Sequence, residues 1–303
     1  MSLANKLDLN TAEHTRTQLT AQQQKDIERM YKRVVRKINQ EAKKLPKTTS
    51  GALRGLYLSK LRQQIDEQLD NLGKELESTI TGNMEAVAQA VVEDNLKFLA
   101  YVDMPIQGAF SHVAKDVVES IITGQVYQGN WSLSKSIWKH TQRAQKDINT
   151  IIAEGVAQNK SAYAIAKDLE KYVNPLARKE WDWNKVYPGT AKKVDYNAQR
   201  LARTMVSHAY QQAFVRTTQK NPFVTKYRWD SSNSGRVCKL CESRDGQLFD
   251  KDDLPLDHPN GMCTYIAIME DSMTDIADRI ADWALGVVDD PDLDVYYEYL
   301  KTS

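Results

Sequence analysis

The chain has 303 residues, 41% hydrophobic and 27% charged, enough for one large or two ordinary domains; this excludes a peptide-sized scaffold and a disordered composition. No run approaches the roughly 18 apolar residues that a transmembrane helix needs, and the first residues lack the apolar core of a signal peptide, so a soluble protein made in a cytoplasm is expected. The net charge of +1 conceals opposed ends: residues 1–60 carry 13 Lys/Arg against 5 Asp/Glu, and residues 270–303 carry 2 against 10.

The first two thirds read as helix, with apolar residues recurring at three- and four-residue spacing. Thr20 with Gln23 resembles a capping box, after which Ile27, Met30, Tyr31, Val34, Val35 and Ile38 form one stripe. The opposite face is basic: Lys25, Arg29, Lys32, Arg33, Arg36 and Lys37 suit either nucleic-acid phosphates or plain solvation. Beyond a polar break at Lys47–Gly51, Leu58, Leu61, Ile65, Leu69, Leu72 and Leu76 predict a long helix or helical hairpin, with further helix over 84–101.

Met104-Pro105 interrupts. Phe110, Val113, Val117, Val118, Ile121 and Ile122 then make a stripe ending at Gly124, and Gln128-Gly-Asn130 reads as a turn. Leu133, Ile137, Ala144, Ile148 and Ile152 predict the next helix, and another starts at Asn159-Lys-Ser161. Trp131 and Trp138 read as core or interface residues. Residues 173–193, with Pro175, Trp181, Trp183 and Tyr187-Pro188-Gly189, read as an ordered loop. A helix returns with Leu201, Met205, Ala209 and Ala213, placing His208 near its apolar side as a satisfied core histidine.

After Asn221-Pro222 the period becomes two, predicting a strand over Val224–Trp229, with short strands at Gly246–Phe249 and Thr264–Ile268. Ser272 with Asp275 caps a final helix ended by Gly286. Asp289–Asp294 reads as unable to hold a regular helix, and Val295–Leu300 as a segment that either docks on a partner or folds back.

Three cysteines cannot build a disulfide framework, but all lie within 26 residues of one another and bracket one of only five histidines. Cys238-x2-Cys241, then His258, then Cys263 is the arithmetic of a four-ligand site, and three sulfurs with one imidazole favour Zn²⁺. A filled shell leaves no position for water, so the metal is expected to be structural, stapling a β module whose short strands bury little. Glu242, Asp245 and Asp257 lie near in sequence as solvated loop carboxylates, acids or a replacement ligand. The H-x-E that a zinc deaminase places before its C-x-x-C is absent, as are H-E-x-x-H, P-loop, G-x-S-x-G and dinucleotide motifs, so no catalytic residue is nominated.

In order along the chain, Trp131-Ser-Leu-Ser134 with Ile137-Trp138, Gly155, Ser161 to Leu169, Arg203-Thr204, Trp229-Asp230, Cys238-x2-Cys241, Asp245-Gly246, His258-Pro259 and Cys263 resemble the phage head morphogenesis or minor capsid family typified by the phage Mu F protein. The chain departs from the usual pattern at Met205 and Met262 and in the spacing from Pro259 to Cys263. The resemblance implies an internal virion protein near the portal, made in a bacterial host. Its partners would be the portal protein, packaged double-stranded DNA and scaffold or major capsid protein, with no small-molecule substrate. A zinc-dependent nucleic-acid-processing enzyme and a zinc-ribbon DNA-binding protein are the alternatives. The expected fold is α+β, mainly α: a helical region over 1–124 with basic first helices, a helical core over 125–220, a β module over 221–270 with the Cys/Cys/His/Cys site, and an acidic helix and tail over 271–303.

Overall fold

The computed structural model describes residues 11–45, 51–106, 108–127, 132–158, 160–174, 194–231 and 237–303, without the side chains of 51–53 and 194–197. The break at Lys47–Gly51 falls largely outside these residues. So do the Gln128–Asn130 turn, Trp131, and the Trp181, Trp183 and Tyr187-Pro188-Gly189 stretch. Among the described residues the chain is mainly helical, with one small antiparallel sheet. Its elements are α1 Thr11–Ala42, α2 Gly51–Tyr101, α3 Val113–Thr123, α4 Leu133–Ala157, α5 Ala162–Val173, α6 Val194–Thr218, β1 Val224–Asp230, α7 Lys239–Arg244, β2 Leu248–Phe249, β3 Thr264–Met269, α8 Met273–Ala284 and α9 Pro291–Thr302. No helix among the described residues is long and apolar enough to cross a membrane.

Two units divide the chain, each gathered from separated stretches: Ala21–Ile80 with Trp131–Ala202, and Met1–Thr20 with Thr81–Asn130 and Arg203–Ser303. In the first, the α1 stripe from Ile27 to Ile38 and the α2 residues Leu58, Leu61, Ile65, Leu69, Leu72 and Leu76 are all buried, as their spacing requires. Tyr31 Oη and His140 Nε2 lie 2.6 Å apart, and Tyr172 Oη donates to Asp147 Oδ2 at 2.7 Å, so buried polar groups find partners. Gly155 on α4 lets α5 approach: a β-carbon there would come within 2.6 Å of Ile165 Cγ1. Ser161 caps α5 by accepting from the Ala164 amide. Trp138 is not a core residue, since 61% of it is exposed; its helix buries the neighbouring Ile137 instead.

The α1 boundary also differs from expectation. The helix begins at Thr11, so Thr20 is interior and its hydroxyl donates back to the Arg16 carbonyl at 2.8 Å. Nothing between Thr11 and Thr20 breaks a helix, and Asp94 Oδ2 accepts the Ala12 amide at 2.8 Å, satisfying one of the free donors at its start.

In the second unit the sheet order is β2-β1-β3, all pairs antiparallel, with Tyr227 opposite Phe249 and Trp229 opposite Tyr265. Trp229 is fully buried and packs with Cys241, Cys263 and Tyr265, its ring centroid 5.1 Å from that of Tyr265. This cluster is small for a module of three short strands.

The acidic tail corrects the expectation of irregular chain. Asp290 is the N-cap of α9, accepting the Leu293 amide, Pro291 follows at the first turn, and Asp292 and Asp294 sit where the helix dipole favours negative charge. The segment folds back, burying Leu293, Tyr296 and Leu300. Arg279 of α8 donates to Asp290 through Nε and Nη2 at 2.6 and 3.1 Å. That pairing, with the Leu293 amide, holds the Asp290 carboxyl below the usual carboxylate range. A carboxyl lowered by folding adds stability above its unfolded pKa and loses it as pH falls through the folded value. Asp290→Asn should therefore flatten the acid limb of thermal stability against pH, and Asp290→Ala should cost about 1 kcal/mol through the lost cap. Unchanged melting curves from pH 7 down to pH 3 would contradict this role.

Candidate metal centre

Cys238 is the N-cap of α7, and its Sγ accepts the Cys241 amide at 3.4 Å. A six-residue helix is what C-x2-C needs here: it turns both sulfurs to one side and aims a backbone N–H at the first. That N–H, chiefly, pulls the exposed Cys238 thiol below the usual thiol range, whereas burial, chiefly, pushes Cys241 well above it. None of the three cysteines is in a disulfide.

The second half of the site is the loop from Asp257 to Cys263. His258 Nε2 lies 3.2 Å from Cys238 Sγ, and His258 Nδ1 lies 3.0 Å from the Pro259 carbonyl. A carbonyl only accepts, so Nδ1 carries the proton and Nε2 presents its lone pair to the sulfurs, the tautomer a metal-binding histidine adopts. Asp257, whose side chain has no exposure, accepts the His258 amide at Oδ1 (2.8 Å) and the Cys263 amide at Oδ2 (3.0 Å), while Cys241 Sγ lies 3.8 Å from Oδ1.

The expected ligands therefore come together as two overlapping groups. Cys238, Cys241 and His258 form one, with all ligand atoms within 4.8 Å of one another; Cys241, Asp257 and Cys263 form the other. Cys241 belongs to both. Of the three carboxylates near in sequence, Asp257 alone is in the cluster, buried and fully engaged. Gly261 makes room for it: a β-carbon at residue 261 would overlap the Asp257 carboxylate.

One face of α6 holds this loop. Arg203 Nη1 donates to Asn260 Oδ1 (2.6 Å), Thr204 Oγ1 accepts the Asn260 amide (2.9 Å), Ser207 Oγ donates to the Gly261 carbonyl (2.9 Å), and Gln211 Oε1 accepts the Asp257 amide (3.1 Å). His208 Nε2 donates to the Asp257 carbonyl at 3.0 Å, which leaves Nδ1 to accept from Tyr127 Oη at 2.9 Å. His208 is thus the satisfied core histidine expected of it, and burial, chiefly, lowers its pKa. Polar residues at 203, 204, 207, 208 and 211 recur at helical spacing among Met205, Ala209 and Ala213, a signal that reading the apolar stripe alone passes over.

Residues 146–264 match the model of the Phage Mu protein F like family. The Mu F-like segment opens inside α4, closes at the first residue of β3, and so includes Cys238, Cys241, His258, Cys263 and the whole α6 face that grips their loop. This family is one of phage head morphogenesis. No curated protein and no solved structure matches the chain.

The donors of the Mu F-like segment fit a thiophilic divalent cation. Three sulfurs, an imidazole nitrogen with its lone pair turned inward, and a buried carboxylate converge from a pre-positioned loop and knuckle. Deprotonating three thiols beside Asp257 without a cation would gather four negative charges in a largely buried volume. Cys238, Cys241, His258 and Cys263 would hold the ion, and the chemistry it supplies is cross-linking.

Proposed function

We propose that this chain is a minor capsid protein of a tailed phage or prophage, lying inside the head near the portal, where it associates with the portal protein and assists head assembly and delivery of packaged DNA. The observation that carries this reading is the family match over the segment that contains the entire donor cluster. Zn²⁺ would be held by Cys238, Cys241, His258 and Cys263; four protein ligands would brace the module and leave no site for a reacting water, so we read the protein as working by binding and not by turnover. Scaffold or major capsid protein are further partners within the head. The test is to isolate virions and portal complexes from lysed hosts: the chain should be present in both at low copy, and its absence from both would overturn the proposal.

The basic face of α1 supports a contact with packaged double-stranded DNA. Lys25, Arg29, Arg33, Arg36 and Lys37 are exposed and Lys32 half-buried. Arg29 pairs with Asp26 and Arg33 with Glu75, whereas Lys25, Lys32, Arg36 and Lys37 make no ion pair among the described residues. Each phosphate contact adds about 0.9 to the slope of log affinity against log salt. Reversing Lys25, Lys32, Arg36 and Lys37 to Glu should thus abolish binding to duplex DNA that, in the unaltered chain, weakens steeply from 50 to 200 mM salt. Salt-insensitive binding, or none, would reject the contact.

A further inference from the structure

Arg16 of α1 is 2% exposed, and the groups that its guanidinium meets are far from it in sequence. Its Nη1 donates to the Cys263 carbonyl at 2.8 Å and its Nη2 to the Met262 carbonyl at 3.1 Å, and its guanidinium lies 4.5 Å from the centre of the Tyr210 ring. Its buried Nε has no partner, and the residue makes no ion pair among the described residues. A permanently charged group has been taken out of water and given carbonyl dipoles and a ring face instead of a carboxylate.

The anionic side of this arrangement is the metal centre itself. A divalent cation held by three thiolates and one neutral imidazole would carry a net charge of −1, and the buried Asp257 carboxylate beside it would add another. The carbonyls that Arg16 grips belong to a ligand, Cys263, and to the residue before it. Asp257 holds the same stretch from the other direction by accepting the Cys263 amide. The loop strand is thus fixed between a buried anion and a buried cation, and the cation comes from the first helix.

Resting on the metal reading above, we propose that Arg16 is the counter-cation and positioning residue of the metal centre, so that metal binding and docking of residues 11–20 of α1 are one coupled event. Coupling of this kind is reciprocal: whatever factor the metal adds to docking of the helix, the docked helix adds to metal affinity. Removing the metal leaves the start of α1 with such ties as the Ala12 amide on Asp94 and the Lys97 ammonium on the Thr11 hydroxyl, and loosens it around Arg16.

The experiment uses the full chain and compares the unaltered protein with Arg16→Gln and Arg16→Lys. Zinc affinity is measured by competition with a chromophoric chelator, the ligand set by the absorption of the cobalt-substituted protein, and docking by amide exchange of residues 11–20 with and without chelator. Arg16→Gln should bind zinc about 10- to 100-fold more weakly, the range for residues that orient metal ligands, with an unchanged cobalt spectrum, and Arg16→Lys should fall between. Chelation should speed exchange over residues 11–20 in the unaltered chain and leave it nearly unchanged in Arg16→Gln. If Arg16→Gln fails to fold, Arg16→Lys carries the same comparison. Equal zinc affinity in all three, or metal-independent exchange over residues 11–20 in the unaltered chain, overturns this inference while leaving the metal centre standing. An unaltered chain that binds no zinc overturns both.

Discussion

Gly261→Ala is expected to be among the most damaging single substitutions in the chain, although it adds one methyl group. The new β-carbon would fall on the Asp257 carboxylate, which has nowhere to go: it is buried, accepts the His258 and Cys263 amides, and lies against Cys241 Sγ. Overpacking alone costs about 1–3 kcal/mol, and a buried charge torn from its partners costs roughly 3–5 kcal/mol. Displacing Asp257 also moves His258, so metal should be lost together with stability. Calorimetry and metal content of the variant check this. The double change Gly261→Ala with Asp257→Ala removes the overlap and should recover part of the stability but not the full metal affinity. A Gly261→Ala protein that melts like the unaltered one would show that the loop has slack the geometry does not suggest.

Removing the metal should have an effect of comparable size, and the two outer cysteines should report it differently. Cross-linking by zinc accounts for about 10–16 kcal/mol of apparent binding energy in small finger modules, and here the side of the sheet next to the metal centre packs on a cluster of four buried side chains with four half-buried neighbours. Cys238 is exposed, so Cys238→Ser should release the ion while leaving the packing of Trp229 and Tyr265 intact. Cys263 is itself part of that packing, and Cys263→Ser adds a buried hydroxyl to the lost ligand, so it should be the less stable of the two by roughly 1–3 kcal/mol. Chelator added to the unaltered chain should mimic Cys238→Ser, with faster amide exchange in β1 and β3. One equivalent of zinc in fresh protein is the expected content, and protein that folds identically with no metal would overturn the structural role.

The sequence carried the local half of this site and not its distant half. A C-x2-C pair with a later histidine and cysteine is written in spacing alone, because the ligands need only short turns to converge. Asp257 precedes His258 directly and looks from the sequence like any loop carboxylate; only its burial and its two amide contacts set it apart from Glu242 and Asp245. Arg16 is further removed still, one charge near the start of a basic region with nothing local to distinguish it. The helical stripes were legible wherever one face is buried throughout, as in Ile27 to Ile38 and Leu58 to Leu76. The acidic tail misled because four aspartates between 289 and 294 disfavour a helix interior, yet beside Pro291 they mark a helix start. Trp138, read as core or interface, is 61% exposed on α4, and this removes only the core half of that reading.

The contact between Arg16 and Cys263 spans 247 residues, and in the same unit the Ser303 carbonyl accepts the His112 amide at 2.7 Å. This unit therefore cannot finish folding until residue 303 has been made. At translation rates of about 5–20 residues per second, roughly 12–50 seconds separate synthesis of Arg16 from synthesis of its partner. During that interval the first helix has its apolar side and a cation exposed, and closing so long a loop is slow in itself. Completion waits until the partners of both Arg16 and His112 have been made. Chains terminated before Cys263 would leave the buried Arg16 guanidinium without its carbonyl partners and could not complete this unit.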